Sequence, residues 1–130
     1  MVDLTNMDLD ILLVDDDPVI RSLLGDYLKA QGYSIDEAAG GVECLLKLRN
    51  QIPEVLVLDL QMPDMSGLEV LKTLSKGGNG NRIPVILLSA NSDIKELAEK
   101  EGVHADVYLQ KPFDMQDVKN AVTKCITKLL

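Results

Sequence analysis

Three runs of four consecutive apolar residues constrain the fold of this 130-residue chain: Ile11-Leu12-Leu13-Val14, Val55-Leu56-Val57-Leu58 and Val85-Ile86-Leu87-Leu88. Their apolar character is continuous, not alternating, and is rich in Val and Ile. That pattern reads as strands buried on both faces. Each run ends abruptly in a polar residue: Asp15-Asp16-Asp17 after the first, Asp59 after the second and Ser89 after the third. The Asp59 stretch carries the most information. A turn follows it at once, with Pro63 fixing φ and Gly67 supplying conformational freedom. Ser66 and Glu69 then have the spacing of a capping box, which predicts a helix start. An ionisable residue at the mouth of a buried strand, held over a turn, is placed for chemistry.

Helical patterns separate the strands. Residues 1–9 are polar and patternless and are expected to form a loose arm before a single domain over residues 10–130. Asp17 suits an N-cap and Pro18 the first helical position. Ile20, Leu23, Leu24, Tyr27 and Leu28 then recur at helical spacing, and Gln31-Gly32 ends that helix. Residues 33–39 read as a weaker strand, nearer an edge. A short helix follows Gly40-Gly41, carrying Val42, Leu45 and Leu46 and ending before Pro53. After Ser66, Leu68, Leu71 and Leu74 are expected to point inward. The run Gly77-Gly78-Asn79-Gly80-Asn81 is a flexible loop, too short to divide domains. Beyond Ser89, Asn91 or Ser92 caps a helix that carries Ile94, Leu97 and Ala98 and stops at Gly102. Residues 105–110 make a last strand, followed by Lys111-Pro112. Asp114 caps a final helix, with Phe113 stapled to Val118 and a buried stripe through Ala121, Val122, Cys125, Ile126 and Leu129. Five strands alternating with five helices predict an α/β fold, a five-stranded parallel sheet covered on both faces. The sequence has no internal repeat.

Composition narrows the partners. A net charge of −8 argues against nucleic acid or an anionic membrane as a direct partner. No apolar run approaches a membrane span, and no signal-peptide core is present, so a cytoplasmic location is expected. Cys44 and Cys125 lie within helical patterns, far from metal-ligand spacing, and read as buried thiols in a reducing compartment. His104, the one histidine, reads as a loop residue.

Polar residues stand at the carboxyl ends of four strands: Asp15 and Asp16, Asp59, Ser89 and Lys111. Open α/β sheets bind ligands there. In a doubly wound, flavodoxin-like sheet of order 2-1-3-4-5, the first and third strands are neighbours. Asp15, Asp16 and Asp59 then converge, with Ser89 and Lys111 on the other side. Each close carboxylate pair costs about 4 kcal/mol at an effective dielectric near 20, so one group protonates or a cation sits among them. Hard oxygen ligands without His or Cys point to Mg²⁺. A carboxylate beside Mg²⁺, with a lysine and a hydroxyl, makes a cradle for a phosphoryl group, with Asp59 as nucleophile. Taken singly, each residue has an ordinary explanation as helix cap, strand end, surface lysine or turn. The joint placement carries the signal.

This constellation resembles the receiver domains of two-component response regulators, the CheY-like family. The matching pieces are Ile11 to Pro18, Val57 to Gly67, Val85 to Ala90 and Tyr108 to Phe113, in that order. The strand order 2-1-3-4-5 is what the resemblance implies. It also implies Asp59 as phosphoacceptor in a phosphorelay. Asp16 and Asp59 would ligate Mg²⁺ directly, Asp15 through water and Gln61 through its backbone carbonyl. Ser89 and Tyr108 would be the switch hydroxyl and switch aromatic. Lys111 would bind the phosphate, and Lys111-Pro112 would be a cis bond. The donor would be a phosphohistidine on a histidine kinase or histidine phosphotransfer protein, or a small acyl phosphate. The output would be binding, through a face formed by the fourth helix, fifth strand and fifth helix. Such a domain is a signalling module that catalyses its own phosphorylation and slow dephosphorylation. It acts on a downstream target or on an output domain outside this chain, either as a stand-alone regulator or as a piece of a longer one. Asp17 is an extra acid beside the usual pair, serine stands for the commoner threonine at 89, and His104 and Val107 replace frequent Gly and Asp.

Two other readings compete. Asp15-Asp16-Asp17-Pro18-Val19 fits the Asp-x-Asp-x-Val pattern of haloacid-dehalogenase-like phosphatases, which would make Asp15 the nucleophile. That reading leaves Asp59 unused and finds no acidic pair after Lys111. A receiver fold that never becomes phosphorylated is the other, and the intact acid and lysine set argues against it.

Overall fold

The computed structural model describes residues 9–77 and 83–127. Ten elements alternate: β1 (Leu9–Val14), α1 (Pro18–Ala30), β2 (Ile35–Ala38), α2 (Gly41–Asn50), β3 (Pro53–Asp59), α3 (Gly67–Lys76), β4 (Val85–Ser89), α4 (Ile94–Lys100), β5 (Val107–Gln110) and α5 (Met115–Thr127). The strands form one parallel sheet in the order β2-β1-β3-β4-β5. This is the doubly wound order that the family resemblance implies, and the weak strand β2 lies at an edge as its sequence suggests.

The continuous apolar runs are explained by the two core layers they feed. Leu12, Val14, Leu56, Leu58 and Leu87 face one layer, with Cys44, Leu48, Val70, Leu71, Ile94 and Ala98. Ile11, Leu13, Val55, Val57, Ile86 and Leu88 face the other, with Leu24, Leu28, Val118, Val122 and Cys125. Neighbouring positions of each strand therefore point into opposite cores. The register pairs Val14 with Leu58 across β1 and β3, so the residues after them, Asp15 and Asp59, lie side by side at the end of the two strands.

Helix starts follow from local chemistry. The Asp17 side chain accepts from the N–H groups of Val19 (2.9 Å) and Ile20 (3.4 Å), with Pro18 at the first helical position. Ser66 and Glu69 complete the capping box of α3. At α5, the Asp117 carboxylate accepts from the Asp114 N–H at 3.0 Å, and the Asp114 carbonyl accepts from the Asp117 N–H at 2.9 Å. Phe113 packs into the same layer as Val118.

Several expectations are corrected. Leu9 belongs to β1 and is buried, not part of an arm, because β1 pairs as far back as Pro53. In α1 the inward residues are Leu24 and Leu28, while Ile20 and Leu23 are exposed. In α2 they are Cys44 and Leu48, with Leu45 packed alongside, while Val42 and Leu46 are about half exposed. Both helices lie beside the edge strand, so their apolar residues exceed what the core can cover. Helix α4 starts at Ile94 behind Asp93, which makes no side-chain cap bond, so neither Asn91 nor Ser92 caps it. Strand β2 is confined to residues 35–38 and β5 to residues 107–110. Gly67 does not have a positive φ; Gly32 and Gly102 do. Its value is closeness: a Cβ there would sit 2.8 Å from the Asp59 carbonyl oxygen. The stretch 1–8, residues 78–81 of the expected loop, and Leu129 lie outside the described residues.

Candidate functional site

The site lies at the carboxyl end of the sheet, where β1 and β3 deliver their terminal acids. Asp15, Asp16 and Asp59 each offer a carboxylate oxygen within 4.8 Å of the others. Asp15 (1% exposed) and Asp59 (4% exposed) are buried, whereas Asp16 opens to solvent. Lys111, just past β5, reaches back so that its Nζ lies 3.2 Å from Asp59 Oδ1. The Lys111 N–H donates to the Ser89 carbonyl at 2.7 Å, and the Lys111-Pro112 bond is cis.

Backbone bonds hold these groups in place. The Asp15 N–H donates to Ala38 O at 3.2 Å, and Asp15 Oδ1 accepts from the Asp17 N–H at 2.9 Å. The Asp15 carbonyl accepts from Arg21 Nη1 at 2.6 Å. Beyond Asp59, the Leu60 N–H donates to Leu88 O at 2.8 Å and the Leu60 carbonyl accepts from the Gly67 N–H at 2.7 Å. This folds the β3–α3 loop back over the strand end. Asp16, Leu60, Gln61, Met62, Pro63, Ser66 and Leu68 line a shallow open cleft of about 620 Å³ there.

The electrostatics reflect crowding. Burial, then the Asp15 charge, push the Asp59 carboxyl up to about 6, against the opposing pull of Lys111. Burial also raises Asp15, against the bond from the Asp17 N–H and the charge of Lys111. One lysine thus faces three carboxylates. Asp15 Oδ2 is buried without a hydrogen-bond partner among the described residues. Such an orphan is costly unless an ion or water meets it. An all-oxygen donor set suits a hard divalent cation.

The remaining expected residues sit around this centre. Ser89 is buried at the end of β4, and its Oγ accepts from the Asn91 N–H at 2.9 Å. Tyr108, on β5, is half-buried, and its hydroxyl accepts from the Ala105 N–H at 2.9 Å. Gln61 is exposed on the rim of the cleft. His104 is exposed in the loop that enters β5, at the opposite end of that strand from Lys111.

Two neighbours of the site escaped the sequence reading. Arg21 reaches Asp15 from one turn inside α1. Asp64, from the β3–α3 loop, accepts from the N–H groups of Gly41 (3.1 Å) and Val42 (3.0 Å), and so caps α2 from a distant part of the chain. The sequence signals were faint: a lone cation four residues after an N-cap acid, and a turn aspartate between Pro63 and Gly67.

A family model described as the response regulator receiver domain matches residues 11–123. The chain belongs to this family. The match is to receiver domains, so the phosphatase reading falls away. Among curated relatives, the response regulator MprA of Mycobacterium tuberculosis is 38% identical over 112 residues, 86% of this chain and 48% of that protein. The chain thus spans about half the length of the curated relatives it matches. Among solved structures, the chemotaxis protein CheY4 of Vibrio cholerae superposes with a TM-score of 0.81 at 27% identity, covering 92% of this chain and 99% of the other. The response regulator TrrA of Thermotoga maritima, solved in complex with Mg²⁺-BeF, gives 0.77 at 37% identity, covering 90% and 98%. This receiver domain is a signalling domain of a two-component system, and its acidic cluster fits a metal site. No helix among its described residues is long and apolar enough to cross a membrane.

Proposed function

We propose that this receiver domain accepts a phosphoryl group on Asp59. The observation that carries the reading is the Asp59 carboxylate held 3.2 Å from Lys111 Nζ inside a carboxylate trio that contains an orphaned Asp15 oxygen. A nucleophile needs its charge, and the environment without a cation opposes that charge. Asp15, Asp16 and Asp59, with the Gln61 backbone carbonyl, are the groups that would hold Mg²⁺. When bound, Mg²⁺ would offset the carboxylate charge and attract phosphoryl oxygens.

The chain's own residues then do the following. An Asp59 oxygen attacks phosphorus. A P–O bond forms as the P–N bond of a phosphohistidine breaks, and the imidazole nitrogen keeps the electron pair. Lys111 stabilises charge on the transferred oxygens. The Ser89 hydroxyl already accepts from Asn91, so its own proton is available to donate to the new phosphoryl group. Movement of Ser89 toward the phosphoryl vacates space beside Tyr108, which is only half-buried, and Tyr108 turns inward. The face made by α4, β5 and α5 changes with it. Phosphorylation shifts this equilibrium only by its differential interaction with the two forms. The donor is a histidine kinase or histidine phosphotransfer protein. The reader is a target protein or a linked output domain, in the cytoplasm.

The test is to incubate the chain with a small acyl phosphate and Mg²⁺, then trap the product with borohydride and map it. The label is expected on Asp59 and should be abolished by chelator. Label on Asp15, or none on either residue, overturns the assignment.

A further inference from the structure

Arg21 and Glu37 are charged residues that the phosphorylation chemistry does not use, yet they touch the site from behind. The Arg21 side chain is only 19% exposed. Arginine is seldom buried so far unless its donors are matched. Its Nη1 donates to the Asp15 carbonyl at 2.6 Å, and its Nε donates to Glu37 Oε1 at 3.1 Å. Glu37 lies on the edge strand β2, paired in register with Leu13 of β1. One guanidinium thus ties the first turn of α1 to the edge strand and to the last carbonyl before the acidic loop. The Asp15 N–H is held by Ala38 and its Oδ1 by the Asp17 N–H. With its carbonyl held by Arg21, three of the polar groups of Asp15 are fixed. The fourth, Oδ2, is the buried orphan.

We infer that Arg21, oriented by Glu37, is a positioning residue that fixes the Asp15 backbone so that the unpartnered Asp15 oxygen is presented to a divalent cation. Arg21 acts through a peptide carbonyl rather than a carboxylate, so it aims the ligand without neutralising it. The two bonds leave from different nitrogens of the planar guanidinium, Nε and Nη1; a lysine would have to make both from a single nitrogen, without that fork. Such supporting contacts orient metal ligands and typically weigh on metal affinity by tenfold or more. The inference rests on the metal-site reading above.

The test is a Mg²⁺ titration of the full chain, followed by amide NMR shifts and paired with thermal melts. It compares wild type with Arg21→Met, Arg21→Lys and Glu37→Met. Arg21→Met is expected to weaken Mg²⁺ binding roughly tenfold, with Arg21→Lys intermediate. In metal-free protein, the Asp17 amide should exchange faster in Arg21→Met, since its acceptor is no longer held still. A lower melting temperature with unchanged Mg²⁺ affinity would mean that Arg21 only braces the fold, and would overturn the inference. If Arg21→Met does not fold, Glu37→Met decides by the same readout: weakened Mg²⁺ binding supports the role, and unchanged binding removes it. Wild type that binds no Mg²⁺ overturns the metal-site reading itself, and this inference with it.

Discussion

Asp59 is held in a place that disfavours its own charge. Its carboxyl titrates near 6 because burial and Asp15 outweigh Lys111. The folded-state pKa lies above the unfolded value, so the folded state binds the proton more tightly between about pH 4 and 6. This group therefore costs stability above pH 6, and the cost fades as pH falls. Asp59→Asn removes the charge and keeps the shape. It is expected to stabilise metal-free protein at pH 7.5 by on the order of 2 kcal/mol, and this advantage should vanish near pH 4. Urea melts in chelator at both pH values check it; a gain that grows with acid would contradict the assignment. The same substitution removes the proposed phosphoacceptor, so phosphorylation should be lost while stability rises.

Two element-level contacts control how the β3–α3 loop sits. The first is the bond of Asp64 to the start of α2. The backbone N–H groups, Val42 first, hold the Asp64 carboxyl below its usual range. A lowered pKa means that this contribution is present above the unfolded value near 3.9 and is lost as pH falls through the folded one. Asp64→Ala should cost about 1 kcal/mol, typical of a lost N-cap, in urea melts at pH 7. The difference should shrink toward pH 3. Gly40 and Gly41 make room for this contact: a Cβ at Gly40 would sit 2.7 Å from Asp64 Oδ1, and one at Gly41 2.8 Å from Met65 Cβ. The second contact is Gly67 against the end of β3. Gly67→Ala would press a methyl on the Asp59 carbonyl, and overpacking of this kind costs about 1–3 kcal/mol. Because the backbone of Asp59 must give way, the substitution should also slow phosphorylation of Asp59 at saturating Mg²⁺. Normal phosphorylation kinetics together with normal stability would show that the loop absorbs the methyl elsewhere.

For the whole molecule, the parallel sheet is the device that brings distant acids together. β1 and β3 are separated in sequence by two helices and a strand, yet are adjacent in register. The apolar part of each strand is locked into two cores, so the strand ends cannot relax away from one another. Binding a cation there should stabilise the fold by mass action, by about 2.7 kcal/mol at a concentration one hundred times the dissociation constant. Thermal melts against Mg²⁺ concentration test this. The rise should be lost in an Asp16→Asn, Asp59→Asn double variant, and a rise that persists there would place the ion elsewhere. Signalling is likewise a property of the whole domain. A pull-down with beryllofluoride-treated protein should recover partners that untreated protein does not. Identical partners in both would leave the switch without support.

The sequence alone determined the alternation of elements, because continuous apolar runs and helical spacing are local patterns. It also exposed Asp15, Asp16, Asp59, Ser89 and Lys111 as polar residues at strand ends, and Asp17 and Ser66 as caps, because those bonds span only a few residues. Which side of an amphipathic helix meets the core was not legible at the sheet edge. Ile20, Leu23, Val42 and Leu46 follow the right spacing, but the core beneath them is too narrow to bury them. Nor were the long-range contacts legible. Arg21 on the Asp15 carbonyl, Asp64 on the α2 terminus and the closeness of Gly67 to Asp59 depend on chain crossings that no spacing rule encodes. Tertiary structure decided these, because each joins groups from different elements whose separation is set by packing.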